Sequence, residues 1–174
     1  MKRLKKTLVN AIAIALMGFV LMSANGLFFS AESAHRASES GLHYGPSEVV
    51  HVQDFGGVRH FLCRYDSLIS CDTIHRTLGI FWRKGNHSFG YLFKEDKPMD
   101  CIWDSALDKG KIYGKVQDAR IVRIEATLSD GQILQTDRFY DGLFLLLWEG
   151  KGVNPEMVRA YDQNGAVIAH RDFP

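Results

Sequence analysis

Three cysteines, seven histidines and twenty acids carry the side-chain chemistry this chain could perform. The cysteines are Cys63, Cys71 and Cys101. A nucleophilic thiol needs a base within hydrogen-bond reach and a third group to orient that base. Cys63, His75 and Asp72 are the set that would supply these parts if their side chains converged in a cleft. Cys71 and His75 stand four apart, so on a strand they would share a face and offer a thiolate and an imidazole to a soft metal. The Asp72-Thr73 pair between them argues a loop instead. No His-Glu-x-x-His, Cys-x-x-Cys or compact His-x-His spacing occurs, so structural-zinc spacing is lacking. Asp100, Asp104, Asp108, Asp137 and Asp141 could be paired on paper as glycosidase carboxylates, but among 20 acids such pairs arise by chance and solvated loop acids explain them better. There is no Gly-x-Ser-x-Gly, Ser-x-x-Lys or phosphate loop. No residue is therefore assigned a catalytic, cofactor-binding or metal-binding role.

Two further features concern pairing and recognition. If Asp66-Ser67-Leu68 forms a three-residue turn, Cys63 and Cys71 fall opposite each other on neighbouring strands, within disulfide reach. The alternative is three buried, reduced cysteines. Phe89, Tyr91 and Phe93 alternate onto one face and, with Trp82 and Trp103, could stack on sugar rings or a partner protein. The same alternation also describes aromatics turned into a core.

The element that must place all of this is the opening apolar run, Thr7 to Ala31. Its 25 residues hold no charge, and Lys2, Arg3, Lys5 and Lys6 precede it. About 20 apolar residues span a bilayer as a helix. The preceding cations keep the amino end cytoplasmic and put the rest outside. The run either stays as an anchor or is cleaved as a secretory signal after Ala24-Asn25-Gly26 or near Ala31-Glu32-Ser33. Without the four leading cations the outer part carries 17 cations against 20 acids. That balance gives no basic field for nucleic acid.

Residues 32–47 are small, polar and punctuated by Gly and Pro, which predicts a flexible spacer. From Glu48 the pattern changes to period two. About nine short strands follow, with no alternating helices. Ile121 to Leu128 alternates, Asp130-Gly131 and Asn164-Gly165 are hairpin turns, and Leu143 to Trp148 reads as a strand buried on both faces. The expected architecture is mainly β: an antiparallel β-sandwich-like domain behind an N-terminal helix. Two small packed modules, 48–110 and 111–174, are also allowed, with residues 99–110 as their seam.

Ile112-Tyr113-Gly114-Lys115-Val116, Ala119 to Ile124, the Asp-Gly turn, Gly142-Leu143-Phe144 and Tyr161 to Ile168 together resemble a known module. It is the C-terminal module of uncharacterised signal-anchored extracytoplasmic β-domain proteins of spore-forming Gram-positive bacteria. The strand Thr77 to Trp82 is similar to their first part. The resemblance covers most of residues 48–170 and implies location and fold, with no catalytic residue to carry over. The functional expectation is a membrane-tethered domain that binds an envelope protein or wall polymer. The alternatives are a secreted protein after cleavage, or a small envelope enzyme using a Cys/His/Asp site.

Overall fold

The computed structural model describes residues 2–43, 45–85, 90–106 and 108–173. The chain opens with helix α1, Lys2–Ala24. Asn25-Gly26 ends it: Gly26 sits at φ +69°, and the Leu27 N–H bonds back to the Met22 carbonyl at 2.9 Å. That is the left-handed helix stop for which glycine is suited. The apolar run is thus divided, and a single helix to Ala31 is corrected to a helix that stops at Ala24. At about 1.5 Å per residue α1 is about 35 Å long, and Lys5–Met22 is long and apolar enough to cross a membrane. The domain covers none of that stretch, and Leu8, Ile14 and Phe19 are each more than half exposed.

Residues 32–47 are not all spacer. Ser30 caps a second helix, α2 (Ala31–Gly41), by accepting the Ser33 N–H at 3.1 Å. Ala31, Ala34, His35, Ser38 and Glu39 recur at helical spacing, and all five are buried. The residues are small or polar, so their periodicity makes a helix face without an apolar stripe.

Twelve strands follow among the described residues, all antiparallel where they pair. The first sheet holds β1 (Glu48–Phe55), β2 (Val58–Tyr65), β3 (Leu68–Thr77) and β4 (Phe81–Lys84) in that order, with β5 (Tyr91–Leu92) beside β3. The second runs β10 (Leu143–Glu149), β7 (Lys109–Val116), β6 (Met99–Ala106). The third runs β12 (Val167–Asp172), β11 (Pro155–Tyr161), β8 (Arg123–Leu128), β9 (Ile133–Thr136). A division at 110/111 would cut β7, and the middle sheet combines strands from both halves, so the two-module boundary does not hold.

Period-two alternation stacks the layers. Ala31 and Ala34 of α2 cover Phe61, Cys63 and Ile74 on one face of the first sheet. The other face puts Leu62, Ile69 and Cys71 against Tyr113, Leu143 and Leu145 of the middle sheet. The far face of the middle sheet packs Ile112, Phe144, Leu146 and Trp148 on Ile124, Leu128 and Val158 of the third. The run Leu143 to Trp148 is buried on both faces because it lies between two layers.

Candidate functional site

The chemistry-bearing residues separate according to which layer boundary their strand parity selects. Cys63 and Cys71 do not pair. The β2–β3 turn is the two residues Asp66-Ser67, with Asp66 at φ +55°, so Cys63 lies opposite Ser70 and Cys71 opposite Leu62. A one-residue difference in register puts the two thiols on opposite faces. Both are free and buried, as is Cys101.

Cys63 and Asp72 do converge, but on His35 of α2. His75 lies three positions past Asp72 on β3 and so points to the other face. His35 Nδ1 is 2.8 Å from Asp72 Oδ2. Its Nε2 is 3.7 Å from Cys63 Sγ and 3.5 Å from Glu39 Oε1. The ring stacks on Phe61 with centroids 4.6 Å apart. Ser47 N–H donates to Glu39 Oε1 at 3.0 Å. A thiol, an imidazole and an orienting carboxylate in this order could form a nucleophile set. Here all are under 5% exposed, and burial pushes the Cys63 thiol up, away from the thiolate. The cluster instead clamps α2 to the first sheet. Leaving a buried hydrogen-bonding group without its partner costs about 2 kcal/mol. Asp72→Ala is therefore expected to destabilise the domain by about that amount. It should also make Cys63 react with an aromatic disulfide reagent under native conditions, read as absorbance against time.

A second polar group lies between the first and middle sheets. Lys111, 3% exposed, donates from Nζ to the Cys71 carbonyl and to Thr73 Oγ1, the latter at 2.8 Å. It also faces Asp104 at 3.5 Å. His60 Nδ1 is 3.5 Å from Thr73 Oγ1, and His60 Nε2 has no partner among the described residues. Burial, followed by the Lys111 charge, lowers the His60 pKa to about 3. Cys71 and His75 share a face of β3, which is strand through Asp72-Thr73 rather than loop. Among the described residues no group of three or more His, Cys, Asp or Glu side chains could hold a metal.

The aromatic residues do not make one surface. Trp82 packs beside Phe61 and Ile74, with Arg59 stacked 4.9 Å from its ring. Tyr91 and Phe93 meet edge to face at 4.8 Å inside the contact between the first and middle sheets. Trp103 packs against the cluster between the middle and third sheets. Phe89 lies outside the described residues. Trp82, the Tyr91–Phe93 pair and Trp103 are drawn to three different layer boundaries, so among the described residues of this set only Tyr91 and Phe93 come together.

An open groove of about 510 Å³ lies where sequence reading does not find a site. Three strands line it, β1, β9 and β10, and each is the end strand of its own sheet. Hydrogen-bond parity shows which main-chain groups face it. Val116 N–H donates to Gly142 O at 2.8 Å, and the register continues Phe144↔Gly114 and Leu146↔Ile112. In an antiparallel pair such bonded positions alternate, so the N–H and C=O of Leu145 and Leu147 point away from β7, at the groove floor. Leu143 is already matched, exchanging both bonds with Tyr140 at 2.8 Å. On β1 the two-residue turn Gly56-Gly57, at φ +56° and +75°, makes Phe55↔Val58 a bonded pair. That leaves the main chain of Val52 and Asp54 outward. On β9 the Leu128 N–H to Gln132 O bond, 2.9 Å, leaves that of Gln135 outward.

The groove lining carries one acid, Asp54, and one cation, Arg138. Asp54 is held by two bonds to Arg59, at 2.7 and 2.8 Å. His51 stacks on Tyr140 with centroids 3.5 Å apart, and burial, then the nearby Arg138, keeps its pKa below 6.5. The Arg138 guanidinium has no ion pair among the described residues. No protein-family model, no characterised protein and no solved structure matches this chain.

Proposed function

We propose that the chain is a membrane-tethered binding protein whose domain works on the outer face of the membrane and takes an extended, carboxylate-bearing polypeptide segment in the three-edge groove. The observation that carries this reading is the row of outward main-chain groups of Leu145 and Leu147 on the groove floor. Exposed sheet edges bind extended chains by adding a strand, with main-chain bonds for affinity and flanking pockets for selectivity. The five lining residues His51 to Phe55 extend about 16 Å, room for about five residues of one strand. Arg138 offers the segment's carboxylate its counter-charge.

The tether supports the same reading. α1 is uncovered by the domain, and the cations before it favour a cytoplasmic amino end and an outer domain. Six residues, Asn25–Ser30, separate α1 from α2, so the domain is held close to the bilayer. A cell-envelope protein is the class of partner that supplies such a segment.

The test is to pan the full-length protein in lipid nanodiscs against displayed linear peptides of about eight residues. Bound peptides should carry an acidic residue. Leu147→Pro removes one outward donor without breaking the β7 ladder, because proline is accommodated where the N–H faces outward from an edge strand. It should weaken binding about fivefold, the value of one hydrogen bond, with the circular dichroism spectrum unchanged. Binding that survives both Leu147→Pro and N-methylation of alternate peptide amides would sink the strand-addition reading.

A further inference from the structure

The edge of the first sheet beside the anchor carries an exposed apolar patch. Leu78 is 78% exposed, Ile80 65% and Phe29 61%. Leu78 and Gly79 sit at φ +53° and +77° in the turn between β3 and β4, which holds both apolar side chains off the sheet. Phe29 joins them from another part of the chain. Phe28 and Trp82 exchange main-chain bonds at 2.9 and 2.8 Å, and the Phe29 ring lies 5.3 Å from Phe81. Large apolar residues gathered from two segments mark an interaction surface rather than scattered exposure.

Two observations identify what covers it. Phe29 is only five residues past Ala24, the last residue of α1, and that length of chain reaches about 18 Å at most. The patch therefore stays beside the point where α1 leaves the bilayer. The segment that carries Leu78 and Ile80 bears charge of one sign. From Thr73 to Lys94 there is no acid, and Arg76, Arg83 and Lys84 are exposed with no ion pair among the described residues.

We infer that this patch is a second membrane contact, in which Phe29, Leu78 and Ile80 enter the boundary between headgroups and acyl chains while Arg76, Arg83 and Lys84 meet anionic headgroups. An apolar tip ringed by cations is the composition that lies in a bilayer interface. The contact fixes the tilt of the domain and hence the direction in which the groove faces. This inference rests on α1 lying in the bilayer, and the test reads that separately.

The native cysteines are buried and their thiols raised, to about 12 for Cys71 and Cys101, so an introduced exposed cysteine labels selectively. Leu78→Cys, Ile80→Cys, Val20→Cys in α1 and Val167→Cys on β12 are each labelled with an environment-sensitive fluorophore. Each full-length variant is placed in nanodiscs of phosphatidylcholine with or without phosphatidylglycerol. The Leu78 and Ile80 labels should shift to the blue, be quenched by lipids spin-labelled high on the acyl chain, and respond more strongly with phosphatidylglycerol. The Val167 label should stay water-like. Leu78 and Ile80 labels that match Val167, while Val20 is quenched, would overturn the inference and leave the anchor intact. A Val20 label that lipid does not quench would overturn both. A blue shift without lipid quenching that fades as protein is diluted in lipid would assign the patch to a second copy of the chain.

Discussion

Trp148→Ala is expected to lower the stability of the domain by about 4 kcal/mol, the cost of emptying a large buried aromatic site. Trp148 is 1% exposed and lies on the boundary between the middle and third sheets. Its ring fills the spot that a Cβ on Gly110 would occupy. Its indole N–H donates to the Val153 carbonyl at 3.0 Å. Glycine at 110 and tryptophan at 148 are thus one packing unit, directly across the strand pair Trp148↔Gly110. Neighbouring residues cannot collapse into the void, because β7 is fixed on its other face by Tyr113 and Lys111. A chemical denaturation curve should show the midpoint falling with the slope unchanged. The effect reaches function because β10 is the groove floor. Peptide binding should therefore weaken at temperatures where the variant remains folded. A loss below about 1 kcal/mol would mean that Trp148 is not the packing centre described.

The second large effect is acid sensitivity from His60. Its folded pKa of about 3 lies below the unfolded value near 6.5. The unfolded chain therefore binds a proton that the folded chain refuses. Stability is complete above pH 6.5 and falls as pH drops from 6.5 towards 3. At 1.36 kcal/mol per unit the loss is about 2 kcal/mol by pH 5 and about 4 by pH 3, where the folded group is itself half protonated. The environment explains the depression. His60 is 2% exposed and faces Thr73, with Lys111 and His75 adding to the burial and Asp54 opposing it. His60→Leu should flatten the stability profile between pH 7.5 and 5 relative to the parent. Both proteins are compared by denaturation midpoint at each pH. Parallel profiles would show that His60 is not the group that titrates.

Much of the β architecture is legible in the sequence because it is local. Asp130-Gly131 and Asn164-Gly165 mark turns by residue type, with Gly131 at φ +85° and Gly165 at +81°. Leu143 to Trp148 announces a strand buried on both faces because no polar residue interrupts it. α2 is hidden because its buried stripe is Ala31, Ala34, His35, Ser38 and Glu39, of which His35 and Glu39 are met by Asp72 and Ser47 from elsewhere in the chain. The helix spacing and the Ser30 cap were the only signals. The Cys63–Cys71 expectation fails on one turn residue, since a two-residue turn in place of three moves every facing pair by one. The groove is least legible of all. It exists only because the end strands of three sheets meet, and no window of sequence contains β1, β9 and β10 together.

The claim that the groove receives an extended chain has one direct measurement, amide hydrogen exchange of the full-length protein in nanodiscs with and without a selected acidic peptide. Leu145 and Leu147 N–H point into the groove, and Phe144 and Leu146 N–H are already bonded to β7. Peptide should slow exchange at Leu145 and Leu147, with little change at Phe144 and Leu146. Saturating peptide that leaves Leu145 and Leu147 exchanging as fast as in the free protein would contradict it.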